Sequence, residues 1–163
     1  MADFCHYIIS GEIMKRYFAA LLLVFAPTIC FAWGKDGHSI VGAIAEANLT
    51  PQARAQVQSL LKDDLNNKGQ LSGRKTLAEI ASWADEIRST AEGGGTDKWH
   101  YRNNPVCKSQ DGPCEGGACV DAAIKEMVGV LQNKDAPTQK RNEALKWIVH
   151  RIQDYFLVSR GLG

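Results

Sequence analysis

The segment at 138–155, TQKRNEALKWIVHRIQDY, decides the fold. Leu145, Ile148, Val149 and Ile152 recur along it at helical spacing, so it predicts one long helix with an apolar side. The same helix carries His150 and Asp154, which lie four residues apart and so project from one face. Two such side chains suit a shared metal ion, as at helical zinc sites, or a plain hydrogen-bonded pair at the surface.

Outward from this segment the pattern stays helical. Val120 to Leu131 reads as a helix. His38 to Ala47 carries Ile40, Val41, Ile44 and Ala45 at helix spacing. Thr50-Pro51 is an N-cap followed by proline at the first helical position, which starts a helix running to about Lys62. Thr76 to Ile87 reads as one further helix, opened by Thr76 and Glu79 as a capping box. Lys68 to Arg74 is a polar, glycine-containing loop, Gly93-Gly94-Gly95 ends the third helical region, and Trp99 to Gly117 is loop-like. No alternating strand pattern, internal repeat or low-complexity tract is present. The fold class is therefore all-α.

The chain has 163 residues and a formal net charge of +1. That balance gives no polybasic nucleic-acid surface. It leaves a nucleic-acid substrate open, because a metal site supplies positive charge of its own. Met14-Lys15-Arg16 is a short basic start, Phe18 to Phe25 is mostly apolar, and Cys30-Phe31-Ala32 ends in small residues suited to a signal peptidase. Residues 14–32 are thus expected to be a signal peptide rather than a membrane anchor, and the product to be secreted or periplasmic. Residues 1–13 resemble neither leader nor domain and are expected to reflect a misassigned start or an extension. The mature domain then occupies 33–163.

Cleavage after Ala32 makes Trp33 the N-terminus. Its α-amino group, titrating near pH ~8, can bind a metal together with its own carbonyl oxygen, and His38 can join the same ion. An ordinary mature N-terminus with a surface histidine is the alternative. His100 follows Trp99, and reads as a ligand or as a loop histidine packed on an aromatic ring. Asp85, in Ser82-Trp83-Ala84-Asp85, is either a helix-end surface acid or an acid costly to bury without a cation. Cys107, Cys114 and Cys119 remain after leader removal. Cys114 and Cys119 bracket a flexible loop able to close a small disulfide, which leaves Cys107 without a partner; zinc binding by all three thiols is the rival reading.

Taken in order, Trp-Gly-x-x-Gly-His at 33–38, Ser-Trp-Ala-Asp at 82–85, Trp-His-Tyr-x-Asn at 99–103, the cysteines, and Val-His-x-x-x-Asp at 149–154 resemble the single-strand-specific zinc nuclease family. Zinc-dependent phospholipase C belongs to the same superfamily, but Trp-His-Tyr-x-Asn fits the nuclease branch better. The resemblance runs from Trp33 to about Asp154 and covers about the first half of a family member.

The resemblance implies an α-helical domain around zinc ions. Asp85, His100, His150 and Asp154 would hold one zinc. The amino nitrogen and carbonyl oxygen of Trp33, with His38 and Asp154, would hold a second, so that Asp154 bridges the pair. A water between them is implied as the group that attacks phosphorus in line. Asn103 falls where many members carry an acid that orients this water, and Arg88 where some place a cation. Cys114 and Cys119 match a local disulfide of the family, and Cys107 a cysteine whose partner lies later. In the family the last helix continues into Ile-His-Gln-Pro-Leu-His, whereas here Asp154 is followed by Tyr155 to Gly163. The third zinc of the family draws its ligands from that later region, as does much of the base pocket. The expected activity is hydrolysis of phosphodiester bonds in single-stranded DNA and RNA, with 3′-nucleotidase activity beside it. The alternatives are a catalytically impaired zinc-binding fragment and a phospholipase C-like phosphoesterase.

Overall fold

The computed structural model describes residues 34–103 and 111–159, with side chains described as far as Tyr155. The expected extension at 1–13, the expected leader at 14–32, Trp33 and Cys107 lie outside the described residues. Among the described residues six helices follow one another: α1 (Lys35–Ala47), α2 (Pro51–Leu61), α3 (Leu77–Ile80), α4 (Trp83–Ile87), α5 (Val120–Gln132) and α6 (Thr138–Ser159). Two 3₁₀ turns, Asp97–His100 and Glu115–Gly117, interrupt the long connection between α4 and α5. Among the described residues there is no strand, only an isolated bridge between Leu65 and Leu71. The chain is all-α, as its periodicity indicates.

Local chemistry explains the helix starts. The Thr50 hydroxyl accepts a hydrogen bond from the Ala53 amide at 3.2 Å, and Pro51 has no amide to leave unpaired. Thr76 and Glu79 form a reciprocal capping box at the head of α3.

The expected single helix from Thr76 to Ile87 is instead two short helices, broken at Ala81 and Ser82. In an unbroken helix the Asp85 amide would bond to the Ala81 carbonyl. Here it bonds to the Ser82 carbonyl at 3.1 Å. The Ala81 carbonyl is taken by Nδ1 of His150, 2.8 Å away. A side chain from α6 thus displaces one main-chain bond, and the break turns Asp85 toward that side chain.

Two apolar groups form the interior. Val57, Leu60, Leu61, Leu77, Ile80 and Leu145 make one. Trp83, Ala84, Ile87 and Trp147 make the other, with Trp99 and Met127 packed against it. The expected apolar side of α6 holds only in part: Leu145 is buried, but Ile152 is 40% exposed. Beside Ala144, the deepest positions of α6 are polar, namely Asn142, Lys146, His150 and Arg151, with Gln153 also buried. Lys146 reaches Asp64 at 2.8 Å and donates to the Leu65 carbonyl at 3.0 Å, pinning the loop after α2.

On α1 the apolar residues Ile40 and Ile44 are exposed, while His38 and Gly42 are buried. Gly42 meets the backbone of α3 directly. A Cβ added there would lie 2.7 Å from the Leu77 carbonyl oxygen and 2.9 Å from Ala78 Cα. Main chain cannot move aside as a flexible side chain can. Gly42→Ala is therefore expected to cost about 1–3 kcal/mol in denaturant unfolding, although alanine is the better helix former. A neutral or stabilising result would contradict this close approach.

Candidate metal centre

Four elements converge on one polar cluster. α1 supplies His38, α4 supplies Asp85, the Asp97–His100 turn supplies His100, and α6 supplies His150 and Asp154. His150 Nε2 lies 3.2 Å from His100 Nδ1, 3.3 Å from Asp154 Oδ2 and 3.6 Å from Asp85 Oδ1. His100 Nδ1 lies 3.1 Å from Asp154 Oδ2, and His38 Nε2 lies 3.6 Å from Asp85 Oδ2. The His38 and His150 rings stack with centroids 4.1 Å apart. His38, His100 and His150 are buried, Asp154 is partly buried, and Asp85 forms the open side.

With His150 neutral, the protons available do not match this arrangement. A carbonyl oxygen only accepts, so Nδ1 of His150 carries the hydrogen that reaches Ala81, and Nε2 of neutral His150 presents a lone pair. That lone pair faces two carboxylates and His100 Nδ1, which offers one hydrogen at most. Ligand atoms of His38, His150 and Asp154 all lie within 4.8 Å of one another, as do those of Asp85, His100 and His150. Mutually facing imidazole nitrogens and carboxylate oxygens are the donor set that zinc takes. The residues present therefore fit a divalent cation. The Ala81 carbonyl would supply the outer partner that orients His150 toward such a cation.

The electrostatics agree. Burial opposes the charged form of His150, but Asp154 and Asp85 outweigh it and lift its pKa above the ordinary histidine value. Burial likewise opposes the Asp154 carboxylate, and its contacts with His100 and His150 override it and hold its pKa well below the usual range. Burial, and then the neighbouring His150, push the pKa of His38 down. The centre favours added positive charge between its carboxylates while disfavouring a proton on His38.

Of the residues singled out in the sequence, His38, Asp85, His100, His150 and Asp154 come together. Asn103 does not join them; it is exposed and lines a cavity of about 250 Å³ with Tyr101 and Arg102. Arg88 sits at the open rim, 3.7 Å from Asp85 Oδ1, and is held there by Asp97 and the Tyr101 hydroxyl at 2.7 Å each. Cys114 and Cys119 are joined in a disulfide with Cα atoms 5.2 Å apart, so neither sulfur is a free thiolate.

Two supporting residues were not legible as functional. Gln153 bonds to His38 Nδ1 at 2.8 Å. The Arg151 guanidinium lies against the Trp147 and Trp99 rings, 3.8 and 4.6 Å from their centroids, and the Trp147 ring in turn packs edge-on to His100. Burial draws its pKa down to about 9. The one available signal was the run of polar residues at 142, 146, 150 and 153, which follows helical spacing as an apolar stripe would.

A helical domain that gathers three histidines and two aspartates from four elements around one point presents a candidate metal centre. The S1/P1 nuclease family model matches residues 33–156, and the chain belongs to that family. It is 29% identical over 128 residues to nuclease P1 of Penicillium citrinum, an alignment covering 75% of this chain and 44% of that protein. It is 28% identical over 145 residues to nuclease S1 of Aspergillus oryzae, covering 82% and 47% respectively. Endonuclease 5 of Arabidopsis thaliana is 36% identical over 149 residues, covering 83% of this chain and 48% of that relative. The chain spans about half the length of the curated relatives it matches.

Proposed function

We propose that this chain is the zinc-binding part of a secreted or periplasmic endonuclease that hydrolyses phosphodiester bonds in single-stranded DNA and RNA, with 3′-nucleotidase activity beside it. The observation that carries this reading is the convergence of His38, Asp85, His100, His150 and Asp154 in a chain of the S1/P1 nuclease family. Asp85, His100, His150 and Asp154 would hold one zinc. Trp33, through its amino nitrogen and carbonyl oxygen, would join His38 and Asp154 at a second. Zinc at such a site supplies Lewis acidity to a phosphoryl oxygen and lowers the pKa of a bound water.

The chain's own residues set the geometry. Asp85 forms the open side of the cluster, where a phosphodiester would approach. Arg88 beside it offers a fixed positive charge to a phosphate oxygen. The burial of His38, His100 and His150 keeps bulk water from competing for their nitrogens. Asn103 would orient water through its amide without acting as a base. Among the described residues no helix is long and apolar enough to cross a membrane.

The test is elemental analysis of the leader-cleaved protein, with a single-stranded DNA cleavage assay on the same sample. About two zinc ions per chain with cleavage that stops on chelation is expected. Absence of bound zinc would overturn the reading. Zinc without cleavage would restrict it to metal binding.

A further inference from the structure

Gln153 is 4% exposed and points into the domain from α6, one residue before Asp154. Its side-chain amide makes three contacts. Nε2 donates to the Val149 carbonyl at 2.9 Å and to the His38 carbonyl at 3.3 Å. Oε1 lies 2.8 Å from His38 Nδ1. This set admits one proton arrangement only. Carbonyl oxygens accept and never donate, so the NH₂ end must face Val149 and His38. Rotating the amide by half a turn would bring its oxygen against both carbonyl oxygens with no hydrogen between them. Oε1 is therefore an acceptor, and the hydrogen between it and the imidazole must come from Nδ1.

We infer that Gln153 is a positioning residue: it holds His38 as the Nδ1–H tautomer, so that Nε2 presents its lone pair to the cluster. Nε2 is the His38 nitrogen that lies 3.6 Å from Asp85 Oδ2. The inference rests on the metal-binding reading above for its consequence, though not for its geometry. The arrangement does for His38 what the Ala81 carbonyl does for His150, with a side chain in place of main chain. Because the same amide also grips the His38 carbonyl, it ties the first turn of α1 to α6 across 115 residues of sequence. A histidine near a chain terminus is thereby held by the helix that carries the central ligands. An amide orients without adding charge, unlike the carboxylate partner common behind metal-bound histidines.

The test uses the full chain, ¹⁵N-labelled and stripped of metal with chelator, with the His38 ring signals assigned against His38→Asn. Long-range ¹H–¹⁵N spectra separate the two neutral tautomers. In the wild type His38 should carry its hydrogen on Nδ1. Gln153→Leu should lose that preference, and its zinc affinity should fall by about 10-fold or more, within the ~10–100-fold span of outer-shell losses. Gln153→Glu keeps an acceptor oxygen beside Nδ1 and should restore the tautomer. A wild-type His38 protonated on Nε2 would overturn the inference, as would a Gln153→Leu protein with unchanged tautomer and affinity. If Gln153→Leu does not fold, the wild-type spectrum and Gln153→Glu still decide. A wild type that shows the Nδ1–H tautomer yet takes up no zinc would sustain the positioning role and remove the metal reading.

Discussion

Asp154→Asn is expected to lose more than one equivalent of bound zinc and at least about 10²-fold in single-strand cleavage, more than outer-shell changes alone cost. The expectation follows from where the carboxylate sits. Its Oδ2 lies within 3.3 Å of both His100 Nδ1 and His150 Nε2, and ligand atoms of Asp154, His38 and His150 fall within 4.8 Å of one another. Asp154 is thus the acid shared by the two proposed ligand sets. An asparagine side chain keeps the shape but carries no charge and offers one acceptor oxygen, so it cannot span two cations. Elemental analysis after dialysis, set beside the wild type, reads the stoichiometry directly. Loss of one equivalent or none would count against a bridging carboxylate.

The second large effect concerns stability. Asp64→Ala should destabilise the domain by about 3–5 kcal/mol, the usual consequence of leaving a buried charge without its partner. The Lys146 ammonium is almost wholly buried, 2.8 Å from Asp64, and lies over the Trp83 ring at 4.0 Å from its centroid. Burial already pushes the Lys146 pKa down, and the Asp64 charge is the main force opposing that. Without Asp64, the ammonium keeps the Leu65 carbonyl, the indole face and the more distant Glu143 charge. The Lys140–Glu143 pair on the same helix is mostly exposed at 3.6 Å, and its disruption should cost no more than about 1 kcal/mol. Chemical denaturation of the metal-free protein compares the two. A loss for Asp64→Ala as small as that for the exposed pair would mean that water reaches Lys146.

What could be read in the sequence was what neighbouring residues decide. The Thr50-Pro51 start and the Thr76–Glu79 box lie within a few residues of the groups they satisfy, and both form as expected. The break at Ala81 could not be read, because its cause is a histidine 69 residues away. Periodicity marked Ile40 and Ile44 as a face of α1, but not whether anything covers it, and both are exposed. Individual ligands showed little by themselves: His150 and Asp154 share a helix, whereas His38 and His100 reach them from distant segments. The order of motifs, compared with a known family, suggested the grouping, and the structure brings those side chains together. Nothing local marks Lys146 and Asp64 as a pair, since a pairing 82 residues apart leaves no trace in local pattern.

The Ala81 carbonyl sets helix regularity against site geometry. Any substitution at Ala81 or Ser82 that favours a continuous helix would restore the main-chain bond from Asp85 and leave His150 without its acceptor. Efforts to harden this domain by regularising its helices would thus gain thermal tolerance while loosening His150, a conflict between helix regularity and the side-chain cluster placed in one peptide unit. Consensus-style stabilisation should be directed to α2 and α5, whose main-chain bonds hold no ligand in place.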